Sequence, residues 1–237
     1  MLLEICANSY QSAKNAQVAG AHRIELCQEL SVGGITPSYG LLKKVVENLQ
    51  IPVFVLIRPR AGNFVYSVDE FEIMKANIQI CKDLGCKGIV SGVLNNDNTI
   101  DVERTKALIE LSKPLSFTFH RAFDEVKNPK KTLEQLIDLG VDRVLTSGQK
   151  STAENGLELL KELNEIANNK IVILAGGGIN VDNAFKFKDA EIQEIHASAS
   201  HQLSSVQDSK TVGGKSMFSM PLTYSDPLKI KAILDAI

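Results

Sequence analysis

The feature that most constrains this chain is a repeat of local pattern: a short apolar strand followed by a helical stretch, eight times in 237 residues. Strands are expected at 2–7, 23–27, 52–58, 88–92, 115–120, 143–147, 171–175 and 194–198. Helices are expected between them, with Asn8-Ser9 capping one that Gly20 ends, and Pro129 opening another at the first helical position. A short helix is expected after strand seven, capped by Asn180 or Asp182. Strand starts fall roughly 20–35 residues apart, the length of a strand–helix unit. Strand–helix alternation demands a parallel sheet, and eight units in a chain of this size predict an α/β fold of the (β/α)8 TIM-barrel type. An open doubly wound sheet would place a glycine-rich turn after its first strand. Here that turn is ANSY, and no nucleotide cofactor is indicated. The glycines cluster instead after strand seven, as AGGGIN, where barrels commonly bind phosphate. Residues 1–237 are expected to form one domain. The stretch 201–226, rich in Ser, Gly and Met without periodicity, is expected to be an irregular rim segment, and a helix at 227–237 closes the chain.

Bulk composition removes several function classes. Apolar residues make up 44% and charged residues 23%, with a net charge of −2, so no basic field attracts nucleic acid or an anionic membrane. Aromatics are 5% and tryptophan is absent, a poor supply of base-stacking surfaces. No run approaches the roughly 18 apolar residues of a membrane span, and MLLEICANSY lacks the design of a signal peptide. Four cysteines are too sparse for a disulfide framework and read as reduced cytosolic thiols.

Barrel sites lie at the C-terminal strand ends, and those ends are polar here. In LSFTFHRAFD (115–124), Ser116, Thr118 and His120 share one face, and Arg121 and Asp124 follow at the strand's end. The same period pairs Glu4 with Cys6, Glu25 with Cys27, and Glu194 with His196. Glu4 and Glu25 sit in strands expected to be buried, where a carboxylate needs a partner. Arg58 is the expected one, because its fork grips a carboxylate in two places. A structural salt-bridge network and a tuned acid/base both explain such carboxylates. Glu4, Glu25, His120, Asp124 and His196 are therefore the candidate catalytic residues, for proton transfer or metal ligation. Arg58, Arg60, Ser147, Ser198 and the Gly176, Gly177 and Gly178 turn, with a helix start behind it, are the candidate anion-binding set. Cys6 and Cys27, on adjacent strands, offer soft sulfur ligands for Cu(I) or else fill space as small buried residues.

The runs HRIELC, GGITPS, IRPRAGNFVYS, TFHRAFD, RVLTSGQ and AGGGI, in this order over residues 1 to 200, resemble the CutC family of copper homeostasis proteins. The resemblance implies a (β/α)8 barrel, a cytoplasmic location, a homo-oligomer (commonly a dimer), Cu(I) binding and a part in copper tolerance. Cys6 and Cys27 stand at the motif positions on which the family's copper proposal rests. The alternative expectation, from the residues themselves, is an enzyme acting on a small phosphate- or carboxylate-bearing metabolite by Glu/His acid–base chemistry.

Overall fold

A computed structural model describes residues 1–202 and 222–237. Eight strands form a closed parallel barrel in sequence order: β1 Leu2–Ala7, β2 Arg23–Leu26, β3 Val53–Leu56, β4 Gly88–Ser91, β5 Ser116–Phe119, β6 Arg143–Thr146, β7 Val172–Gly176 and β8 Glu194–Ala197. The helices α1 Tyr10–Ala19, α2 Tyr39–Asn48, α3 Val68–Leu84, α4 Val102–Ser112, α5 Pro129–Asp138, α6 Leu157–Ala167 and α7 Ala184–Asp189 follow them in turn. The fold is thus the TIM barrel expected from the alternation. Local signals explain the boundaries. Ser9 caps α1 by accepting from the Ser12 amide, and Gly20 ends it in the left-handed region. Ser67 and Glu70 form a reciprocal capping box at the head of α3, and Pro129 does open α5, with Asn128 as its cap.

Two layers of core follow from the period-2 strands. Leu3, Ile5, Ile24, Val53, Val55, Ile89, Phe117 and Val144 turn outward and bury against the helices. The opposite faces fill the barrel, with Cys6, Cys27, Phe54, Leu56 and Val90 in one apolar cluster. Gly88 is required there: a Cβ at that position would stand 2.5 Å from the Phe54 ring.

Three expectations fail locally. The stretch 201–226 is not wholly irregular: β9 Ser200–Gln202 pairs antiparallel with β10 Thr223–Ser225. Three-residue strands are too short to display a period. The β10 end is tied to α1, where Ser12 Oγ accepts from the Ser225 amide and Asn15 Nδ2 donates to the Ser225 carbonyl. Met217 and Met220, whose thioethers are soft donors, lie outside the described residues. The helix after strand seven begins only at Ala184, because Asn180 Oδ1 accepts from the Asp182 amide and closes a turn instead of capping a helix. The strand–helix alternation places a helix from about Thr152, but residues 153–156 are turn and α6 starts five residues later, at Leu157. The closing helix, α8, runs Pro227–Asp235.

Candidate functional site

Strand register sets the site. Glu4 aligns with Arg23 on one side and His196 on the other, and Cys6 aligns with Glu25. The lower of the resulting interior layers is an ion network. Arg23 bridges two carboxylates, pairing through Nε with Glu4 and through Nη2 with Glu194 at 2.5 Å. Arg143 Nε reaches Glu194 at 3.2 Å, and both guanidiniums lie over the Phe54 ring, at 4.7 and 5.1 Å from its centroid. Arg58 is therefore not the partner of Glu4. It lies beyond the end of β3, and its Nη atoms donate to the Val32, Gly34 and Gly62 carbonyls. Arg23 was legible in the sequence, since it shares a strand face with Glu25. The signal is the strand period itself, which turns Arg23 inward together with Glu25 two residues on.

Above this network lies a cavity of about 410 Å³, walled by Cys6, Glu25, Arg58, His120 and His196 among others. His196 Nδ1 is 2.8 Å from Glu4 Oε1 and 3.7 Å from Glu25 Oε2. The two acids differ sharply. Burial alone would raise the Glu4 pKa, but the His196 hydrogen bond and the Arg23 charge outweigh it and hold Glu4 at about 2. Glu25 is also raised by burial, and the charge of Glu4 adds to the rise against the pull of His196 and Arg23, leaving Glu25 at about 7. Burial works against the His196 imidazolium, yet Cys6, Glu4 and Glu25 together push its pKa well above 6.5.

The thiols adjoin this row. Cys6 Sγ and Cys27 Sγ are 3.5 Å apart and buried. The hydrogen bond with Cys27, then burial, raises the Cys6 pKa well above its ordinary value. Two sulfurs this close can both reach one ion, given metal–thiolate bonds of about 2.3 Å for zinc, and sulfur suits Cu(I). Glu4, Glu25 and His196 also bring three donor atoms within 4.8 Å of one another. That set suits a divalent ion poorly, because both Glu4 oxygens are engaged, by Arg23 and by His196.

On the opposite wall, His120 Nδ1 accepts from the Ala122 amide at 3.2 Å. The neutral ring then carries its proton on Nε2, which is buried and has no hydrogen-bond partner. Burial, then the charge of Arg58, lowers the His120 pKa to about 3, so the ring serves as a neutral donor. Phe64 packs against both, with centroids 4.8 Å from His120 and 5.3 Å from the Arg58 guanidinium.

Other candidates are drawn into architecture. Asp124 accepts from Arg121 Nε (2.7 Å), Thr146 Oγ1 (2.5 Å), the Ser147 amide (3.0 Å) and the Gln149 amide (3.2 Å). This carboxylate ties the short 3-10 turn Arg121–Glu125 to the end of β6. Ser147 Oγ bonds Asp124, Arg121 and the Lys150 carbonyl. Arg60 does not line the cavity. It is held by Glu70 and by the Ala61, Asn63 and Val65 carbonyls in its own loop. Gly177, Gly178 and Ser198 do line the cavity, whereas Gly176 belongs to β7, packed under Leu145 and His196. The helix start expected to assist these glycines lies too far along the chain to do so.

The comparisons with known proteins agree among themselves. The CutC family model matches residues 1–201. A family protein CutC from Proteus mirabilis is 48% identical over 211 residues, 89% of this chain and 84% of its own length. The human copper homeostasis protein cutC homolog is 49% identical over 199 residues, 84% of this chain and 73% of that one. The crystal structure of a CutC protein from Streptococcus agalactiae superposes with a TM-score of 0.80 at 35% identity, covering 84% of this chain and 98% of that one.

Proposed function

The chain belongs to the CutC family, and from that premise we propose that it takes part in copper homeostasis by binding Cu(I) through Cys6 and Cys27. The observation that carries this reading is the pair of sulfurs 3.5 Å apart, with Cys6 on the cavity wall. The donors are soft, the partner strands hold them rigidly, and the cavity gives the ion a path in. The protonated ring of His196, beside Cys6, favours the thiolate that takes up metal, and the thiol proton leaves to solvent through the cavity. The test is competition for Cu(I) against a chromogenic chelator, with native protein and with Cys6→Ser and Cys27→Ser. The native protein should win copper and the double variant should not. Equal affinity in the two sinks the site. On the family resemblance we also propose a cytoplasmic homo-oligomer, a dimer, which light scattering on the eluting protein checks. Among the described residues, no helix is long and apolar enough to cross a membrane.

A second reading is favoured by one observation that copper binding does not require: a carboxyl near pKa 7, Glu25, in a row with His196 and the ionised Glu4 beside a small-molecule-sized cavity. In this reading the chain is an enzyme that moves protons on a small anionic metabolite. Thermal-shift screening of phosphorylated and carboxylated metabolites tests it. No stabilisation by any of them at millimolar concentration removes the reading.

A further inference from the structure

Buried polar atoms almost always find partners, so orphans that share one cavity identify what is missing from it. Three residues of the cavity wall carry such atoms: Glu25 Oε2, Arg58 Nε and His120 Nε2. All three residues are more than nine-tenths buried. Two orphans are donors, one cationic and one neutral, and the third is a carboxyl oxygen that accepts when ionised and can donate when protonated.

Arg58 decides the charge of the occupant. Its Nη atoms are spent on neutral carbonyls, and among the described residues it forms no ion pair. A buried guanidinium without a counter-charge is costly. An anion at Nε would remove that cost, and the His120 Nε2–H would give it a second donor. Glu25 Oε2 calls for a hydroxyl, which donates to it when the carboxyl is ionised and accepts from it when the carboxyl is protonated. The cavity volume of about 410 Å³ lies within the range of small-molecule sites. At ~30 Å³ per displaced water, it takes a molecule on the order of a dozen non-hydrogen atoms.

We infer that this cavity binds a small hydroxylated organic anion, its anionic head on Arg58 Nε and His120 Nε2 and a hydroxyl on Glu25. The inference rests on the second reading above only for the identity of the site; it supplies the ligand class and needs no turnover. Carboxylate and phosphate heads share the required chemistry, and the experiment separates them.

Calorimetric titration of metal-free protein is run with gluconate, glycerol 3-phosphate, acetate, sulfate and glycerol. The expected result is saturable binding of gluconate or glycerol 3-phosphate at least tenfold tighter than acetate, sulfate or glycerol. Whichever of the two binds tighter names the head group. In Glu25→Leu, the preference for the hydroxylated anion over its plain counterpart (acetate or sulfate) should fall about tenfold, the worth of one good hydrogen bond. His120→Phe should weaken all anions together. Binding of sulfate and acetate as tight as that of the hydroxylated anions overturns the inference, as does no binding of either hydroxylated anion at 10 mM (a ~10 mM ceiling is already weak for such a site). Proton NMR of the titrated sample keeps the two ideas apart. Bound but chemically unchanged ligand supports the inference and counts against turnover of that compound.

Discussion

Replacing Glu25 by glutamine should flatten the pH dependence of stability between about pH 4.5 and 7. Glu25 is buried on β2 with one oxygen unpartnered, and its carboxyl is raised by burial from 4.5 to about 7. In that window the folded chain keeps a proton that the unfolded chain has released. The unfolded state binds fewer protons, so stability falls as pH rises through the window. The stabilisation tied to this proton is fully present below 4.5 and is lost once pH passes about 7. At 1.36 kcal/mol per pH unit of displacement, the loss from this group amounts to about 3 kcal/mol. Glutamine has nearly the same shape and no charge to bury, so the variant should escape the loss. Urea unfolding at pH 5 and pH 8 measures it. The native protein should lose more stability between the two than Glu25→Gln does, by about 2–3 kcal/mol. Identical pH dependence in both would refute the argument, since it would mean Glu25 titrates normally in the fold.

Other consequences can be measured separately. Arg23→Met removes the bridge between Glu4 and Glu194 and should cost about 3–5 kcal/mol in urea unfolding at pH 7, whereas Lys43→Met, whose ion pair with Glu47 is exposed and screened by solvent, should leave the midpoint essentially unchanged. Gly88→Ala drives a Cβ into the Phe54 ring inside the barrel and should lower stability by about 1–3 kcal/mol, visible as a lower Tm. Cu(I) affinity should rise with pH, because the Cys6 proton is held well above its ordinary strength and must leave when sulfur binds metal; an affinity independent of pH from 6 to 9 would exclude Cys6 as a ligand.

The barrel was legible because strand and helix periods differ and because caps such as Ser9, Gly20 and Pro129 punctuate them. The inward faces were legible for the same reason: a strand period that places Glu4 inward also places Cys6 inward. What the period cannot give is the vertical position of each residue, which depends on the stagger between strands. Glu4 and Glu25 look equivalent in sequence. Register sets Glu4 beside Arg23 and His196 but sets Glu25 beside Cys6, one layer nearer the cavity. The fate of the rim arginines was likewise hidden. Arg58 and Arg60 are two residues apart, yet one walls the cavity and the other is absorbed by a capping glutamate, Glu70, ten residues on. Asp124 illustrates the same limit, since only the folded loop shows that its oxygens are spent on Thr146, Ser147 and Gln149.

The contrast between the two interior layers is itself an argument about function. Below, two arginines and two glutamates neutralise one another, and of the buried charged side-chain atoms described there only Arg143 Nη1 lacks a partner. Above, within one cavity, Glu25 Oε2, Arg58 Nε and His120 Nε2 all lack one. An unmet buried polar group costs roughly 1–3 kcal/mol, so the upper layer carries a penalty comparable to a large share of a domain's net stability. In the lower layer Thr118 Oγ1, in register with Arg143, lacks a partner too, but every charged group there meets an opposite charge, so the unpaired Arg58 above does not come from any inability of the barrel to pair its charges. A penalty concentrated at the open end of a barrel is one that a ligand relieves. It follows that saturating ligand should raise Tm by more in native protein than in Glu25→Leu, whose cavity lacks one of the unmet groups; an equal rise in both would separate the orphaned atoms from binding.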